Sequence, residues 1–266
     1  TTDTIKEMYE SYGDSLLQSA TVDGKLYAFP NTVIDDGTPL LWLRKDWIDQ
    51  LGLKEPETVE EALEIIRAFV EQDAAGDGQT IGLACSTDVV AGADQTYGVD
   101  AAFIHAGAMP CHWLLDENGN VVYGSVTQET KDALSKLRNL YDEGILDQRF
   151  LLRKTENIDD LLKTGHCGAI YGRWWAPNNP LSAAYSADSN AEWKPYLLDE
   201  DQVNETQKIP VFESYDQWMY VVVRKGYKHP EIVAKYVSAI FDQSRYANDA
   251  SASELNDYFS INVDPT

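Results

Sequence analysis

The residues best equipped for ligand chemistry lie at Arg173-Trp174-Trp175, with Gly172 before them and Pro177, Asn178 and Asn179 after. Two adjacent indoles supply flat apolar platforms, and the guanidinium and amides beside them supply fixed hydrogen-bonding groups. That combination suits a solute whose C–H faces are ringed by hydroxyls, the surface a sugar presents. In an adjacent pair one tryptophan usually packs while the other is exposed, so at least one is expected to face ligand. Arg173 is open to two readings: a donor to hydroxyls or to a uronate, or half of a surface ion pair.

Other chemistries find little support. There is no Gly-x-Ser-x-Gly elbow, phosphate loop or dinucleotide fingerprint. With 44 acidic side chains, chance carboxylate pairs are certain; a glycoside hydrolase, which needs two carboxylates across a scissile bond, therefore stands as the enzymatic alternative without a motif of its own. Cys111 and His112, with His105 shortly before them, lack a fourth ligand for a transition metal. The segment from Asp73 to Gly78 has the look of a calcium loop, but counting from Asp73 the third position is Ala75 and the twelfth Ala84, so two oxygen ligands are missing, the bidentate one among them. No metal and no cofactor is expected. Cys85, Cys111 and Cys167 are too few and too scattered for a disulfide framework and are expected as free, buried thiols.

The whole chain sets the frame for that site. Its 266 residues, 44% hydrophobic, are enough for one large or two small cores. A net charge of -23 would repel phosphate backbones and anionic membrane surfaces, which excludes nucleic acid as a partner. No apolar run is long enough to cross a bilayer. The chain opens at Thr1 without an initiator Met or a signal segment, so it reads as a processed or trimmed piece of something longer.

Strand-like and helix-like periodicities alternate, which marks an α/β chain. The sequence Thr58-Val59-Glu60-Glu61 is a capping box opening a helix with Val59, Ala62, Leu63, Ile66, Phe69 and Val70 on one face, stopping near 73–78. A second helix is expected from about Thr127 to Glu143, its stripe being Ala133, Leu134, Leu137, Leu140 and Tyr141 and its terminator Gly144. Before it, Asn118-Gly119 suits a tight turn between the strands Trp113-Leu114-Leu115 and Val121-Val122-Tyr123. A short helix at about Ile158 to Lys163 closes on Gly165, and the strand Ala169-Ile170-Tyr171 delivers the chain to Arg173-Trp174-Trp175. Trp218 to Val223 reads as a strand, and Pro230 opens a helix whose apolar face is Ile232, Val233, Tyr236, Val237 and Ile240. The stretch from Gln243 onward has weak periodicity.

Four segments, in order over about 220 residues, resemble the extracellular solute-binding proteins of carbohydrate ABC transporters. They are VDGKLYAFP at Val22 to Pro30, continued by LLWLRKDWIDQLGLKEPETVEEA from Leu40; HAGAMPCHWLLDENGNVVYG from His105, continued by LYDEGILD from Leu140; LLKTGHCGAIYGRWWAPNNPL from Leu161; and YVVVRKGYKHPEIVAKYVSAIF from Tyr220.

The resemblance implies a periplasmic-binding-protein-like (type II) architecture: two α/β lobes with mixed sheets flanked by helices, joined by hinge strands, with a sugar held between them. On that mapping residues 1–39 are part of the first lobe and the first hinge strand, 40–215 the second lobe, 216–223 the returning hinge strand and 224–266 a further part of an incomplete first lobe. It also implies a non-enzymatic, monomeric receptor outside the cell, lipid-anchored in its full-length form, with an oligosaccharide as ligand and ABC permease subunits as partner. The matching motif places its sugar-stacking tryptophan two residues after the strand's glycine, which singles out Trp174. Tyr215, Asp216 and Trp218 would start the returning hinge strand and face ligand or pack the hinge. Asn31, Asp35 and Asp36 would follow the first hinge strand, as acceptors for hydroxyls or as a solvated turn. Tyr97, in the loop Ala91 to Gly98, would line the second-lobe wall. A peptide-binding or adhesion module on the same fold is the remaining alternative.

Overall fold

The computed structural model describes residues 3–11, 14–32, 39–90, 96–198 and 217–246. The chain divides into two compact units, Thr1–Asp35 with Glu213–Thr266 and Asp36–Phe212.

The smaller unit opens with helices α1 (Asp3–Ser11) and α2 (Asp14–Gln18). The short strands β1 (Thr21–Val22) and β2 (Lys25–Leu26) then pair antiparallel. Between them Asp23 and Gly24 both take positive φ, the geometry of a two-residue hairpin turn whose twist matches that of its strands. Strand β3 (Phe29–Thr32) leaves this unit. On the chain's return, β10 (Gln217–Val221) pairs antiparallel with β3, and α9 (Glu231–Tyr246) follows. Tyr9 and Leu16 form a small core with Phe29 and Val237. Tyr9 Oη donates to Pro30 O at 2.6 Å and pins α1 to β3. The predicted apolar face of α9 is only partly covered: Val237 joins that core, whereas Ile232 is 49% and Tyr236 61% exposed. Among the described residues that core holds two buried side chains, Tyr9 and Leu16, too few to cover a whole helix face.

The larger unit is built on a four-stranded mixed sheet. It begins with β4 (Leu40–Arg44), followed by α3 (Lys45–Gln50), α4 (Val59–Glu71), β5 (Ile81–Leu83) and α5 (Asp100–His105). The hairpin β6 (Trp113–Leu115) and β7 (Val121–Tyr123), helices α6 (Gln128–Asp142) and α7 (Thr155–Lys163), strand β8 (Cys167–Gly172), α8 (Leu181–Ala187) and β9 (Trp193–Tyr196) complete it. Sheet order is β5-β8-β4-β9, with β5 parallel to β8 and the other neighbours antiparallel.

Alternation along the central strands divides the interior. Leu41 and Leu43 of β4 enter one core with Ala169 and Tyr171 of β8, while Trp42 and Ile170 enter the other. Phe69 of α4 and Trp47 of α3 meet edge to face over the sheet, centroids 5.3 Å apart. Every residue of β8 is buried, as a central strand covered on both faces requires.

The caps follow the sequence with one refinement. Thr58 Oγ1 accepts from the Glu61 N–H at 3.2 Å, but the Glu61 carboxylate reaches past the capping residue to the Glu57 N–H at 2.7 Å. Helix α6 is capped by Thr127 and terminated by Gly144 at φ 78. Leu134, expected in its buried stripe, is 50% exposed. The stripe centres on Ala133 and Leu137, and one residue's 100° rotation carries Leu134 to its shoulder. The turn between β6 and β7 is wider than a two-residue one: Asp116 N donates to Asn120 O, and its carboxylate accepts from the N–H groups of Asn118 and Asn120.

Candidate ligand-binding site

Strand β8 is the element that presents the tryptophans. Its last carbonyl, Gly172 O, accepts from Trp42 Nε1 at 3.3 Å, which ties the strand end to β4. The chain then turns sharply: Ala176 N–H donates to Arg173 O at 2.9 Å, Asn178 N–H to Trp175 O at 2.9 Å, and Leu181 N–H to Ala176 O at 2.9 Å. Ala176 and Leu181 are fully buried and anchor this turn in the core. The outcome for the three candidates is unequal. Trp174 is 59% exposed, Trp175 is half-buried, and Arg173 is 4% exposed. The indole of Trp174 is thus an open apolar face on a turn that is hydrogen-bonded and anchored to a buried strand.

Tyr97 does not line a surface. It is wholly buried, its N–H donating to Tyr171 O at 3.1 Å and its Oη to Asp159 Oδ1 at 2.6 Å. Burial, with the Asp159 hydrogen bond second, pushes its phenol far above the ordinary tyrosine range. Its φ of 73° is strained for a residue with a Cβ and is held by those tethers, so the expectation of a ligand-lining tyrosine gives way to a packing role. Trp218 is the extra residue where the β10–β3 register shifts between Gln217 and Met219, a β-bulge. Its side chain, like that of Asn31 on β3, lies outside the described residues, as do Tyr215, Asp216, Asp35 and Asp36 altogether.

The degenerate calcium loop is closed by its own groups. Asp73 Oδ1 accepts from Thr80 Oγ1 and Oδ2 from the Gly78 N–H, both at 2.7 Å, while Asp77 Oδ2 meets His166 Nε2 at 2.9 Å. The His166 hydrogen bond holds the Asp77 carboxyl below its usual range. Among the described residues no three His, Cys, Asp or Glu side chains come together as metal ligands. Cys85 and Cys167 are buried thiols, each pushed up to about 12 chiefly by desolvation. Cys111 is exposed, against expectation. It sits at φ 67 beside the edge hairpin, with its N–H on Ser125 Oγ, where no core element covers it. Sequence reading also passed over Trp113, which is 71% exposed and packs at a tilt of 46° against Tyr123 with centroids 5.0 Å apart. Short apolar strands carry no signal for which of their faces is covered.

No protein-family model matches the chain. It is 33% identical over 161 residues to the polygalacturonan/rhamnogalacturonan-binding protein YtcQ of Bacillus subtilis, an alignment spanning 58% of this chain and 30% of that protein. It is 28% identical over 179 residues to the lipoprotein LipO of the same organism, spanning 66% of this chain and 35% of LipO. Among solved structures, the Streptococcus pneumoniae ABC-transporter substrate-binding protein FusA in complex with fructo-nystose matches at TM-score 0.59 and 17% identity, over 91% of this chain and 48% of that one. The fold is that of the type II sugar-binding solute receptors. The chain is a homologue of substrate-binding proteins and lipoproteins of bacterial sugar ABC transporters, and it spans about a third of the curated relatives it matches and about half of that solved structure.

Proposed function

We propose that the protein is the substrate-binding component of an ABC importer and takes an oligosaccharide, with Trp174 as the stacking platform. The observation that carries this is the 59% exposure of an indole that follows the buried Arg173 and precedes the half-buried Trp175, on a turn anchored by the buried Ala176. Exposed aromatic area held rigidly is what stacking on a sugar ring requires, and it contributes nothing to the core. Trp175 extends the platform. The role is binding without turnover, as in the relatives' transporter components. The protein works at the outer face of the cell, lipid-anchored in its full-length form, as a monomer that delivers solute to permease subunits. The polygalacturonan and rhamnogalacturonan of YtcQ's name and the fructo-nystose bound by FusA define the first compounds to try.

The test is Trp174→Ala, read by oligosaccharide affinity and by melting temperature. Loss of the stacked area should weaken binding by about 1–3 kcal/mol, roughly ten-fold to a hundred-fold, with the melt unchanged. A large fall in melting temperature would show a core tryptophan, since a cavity of that size costs roughly 3–5 kcal/mol. Unchanged affinity would move the platform to Trp175 or Trp218.

A further inference from the structure

At the opposite end of β8 from Trp174 lies a cavity of about 400 Å³, lined by Gln79, Asp147, Gln148, Arg149, Arg153 and His166 among others. His166 immediately precedes β8 and Arg173 immediately follows it, so the six-residue strand sets roughly 20 Å between cavity and platform. The cavity falls within the range of roughly 300–1,000 Å³ usual for small-molecule sites.

Its hydrogen-bonding groups can be accounted for one by one. The buried Asp147 carboxylate accepts from Arg153 Nε at 2.7 Å and from the Arg149 N–H at 2.9 Å, so its charge is met in place. That leaves both Nη groups of Arg153 and the whole Arg149 guanidinium without a protein acceptor among the described residues. Gln148 Nε2 donates to Tyr141 O at 2.6 Å and Leu146 O at 3.0 Å, and Gln79 Nε2 donates to Asp77 Oδ2 at 3.1 Å. Each amide is thereby fixed with its Oε1 left as a spare acceptor. The Asp77 carboxylate is held by His166 and Gln79. In a chain of net charge -23, two guanidinium groups with spare donors in one cavity are out of keeping with the surface. Planar paired donors match a carboxylate, and neutral acceptors beside them match hydroxyls.

We propose that this cavity binds a small sugar acid, its carboxylate on Arg149 and Arg153 and its hydroxyls on the amide oxygens of Gln79 and Gln148. The site is separate from the Trp174 platform, and the inference does not depend on what that platform takes. The experiment is calorimetric titration of the chain at low ionic strength with glucuronate, glucose and inorganic phosphate, repeated on Arg149→Ala and Arg149→Lys. Arg149 is exposed and makes no side-chain contact with a partner, so both variants should melt with the parent. Expected are measurable glucuronate binding, no heat with glucose, weaker binding of phosphate, at least a ten-fold loss in Arg149→Ala and partial retention in Arg149→Lys. Absence of glucuronate binding, glucose or phosphate binding as tight as glucuronate, or an affinity unaltered by Arg149→Ala would each overturn the proposal.

Discussion

Gly168→Ala is the substitution that most directly tests how β8 is held. A Cβ built at Gly168 would lie 2.6 Å from Phe69 Cδ2 and 2.9 Å from Trp47 Cζ3. Both rings are buried, at 0% and 3% exposure, and locked edge to face, so neither has room to swing away. Overpacking of this kind costs about 1–3 kcal/mol. For a unit of this size each kcal/mol moves the melting temperature by about 2–4 °C, so a cost near the middle of that range should lower the melt by about 4–8 °C. Gly172→Ala is the matched control on the same strand. Its Cβ would meet Ala176 Cβ at 3.4 Å and Trp42 Cδ1 at 3.5 Å, ordinary contacts, and its backbone is not left-handed. Alanine there restricts the unfolded chain and should be neutral or stabilising by up to about 1 kcal/mol. Calorimetric melts of the two variants beside the parent decide the matter. If Gly168→Ala melts within about 1 °C of Gly172→Ala, the aromatic pair is not the rigid backing of β8 and the argument for an immobile platform fails with it.

Two further outcomes can be checked with simple reagents. Native protein should titrate one thiol with an aromatic disulfide reagent at pH 8, the exposed Cys111, and three in denaturant, because burial pushes Cys85 and Cys167 up to about 12. The same shifts give a sign for alkaline stability: the unfolded chain releases those protons near pH 8.5 while the folded chain holds them, so the urea midpoint should fall as pH rises from about 9 toward 12. Tyr97→Phe removes a part-buried hydrogen bond to a carboxylate and should lower stability by about 1–2 kcal/mol, measured by urea unfolding, while leaving oligosaccharide affinity untouched. A loss of affinity there would restore Tyr97 to the ligand surface.

Much of the fold was legible because its signals are local. Thr58 and Thr127 cap, Gly144 and Gly165 stop and Asp116 closes a turn through groups within a few residues of one another, so the string itself carries the information. The strand signal at Ala169-Ile170-Tyr171 likewise placed Trp174 just past the end of a strand. The sequence alone therefore determined the α/β alternation, most helix limits and the position of the tryptophan pair just beyond β8. Which neighbour faces water was decided by tertiary structure: Trp174 and Trp175 are chemically identical and adjacent, and only the turn anchored by Ala176 and Leu181 leaves one exposed and one half-buried. The same holds for Tyr97, drawn inward by Asp159 across 62 positions, for Leu134, turned to the shoulder of its helix, and for Cys111, left uncovered at an edge. The Arg149–Arg153 cavity had no local signature, since it exists only where the loop at Gly78, the turn at Asp147 and the start of β8 converge. Burial is a property of what packs against a residue from far along the chain, and no short stretch of sequence records it.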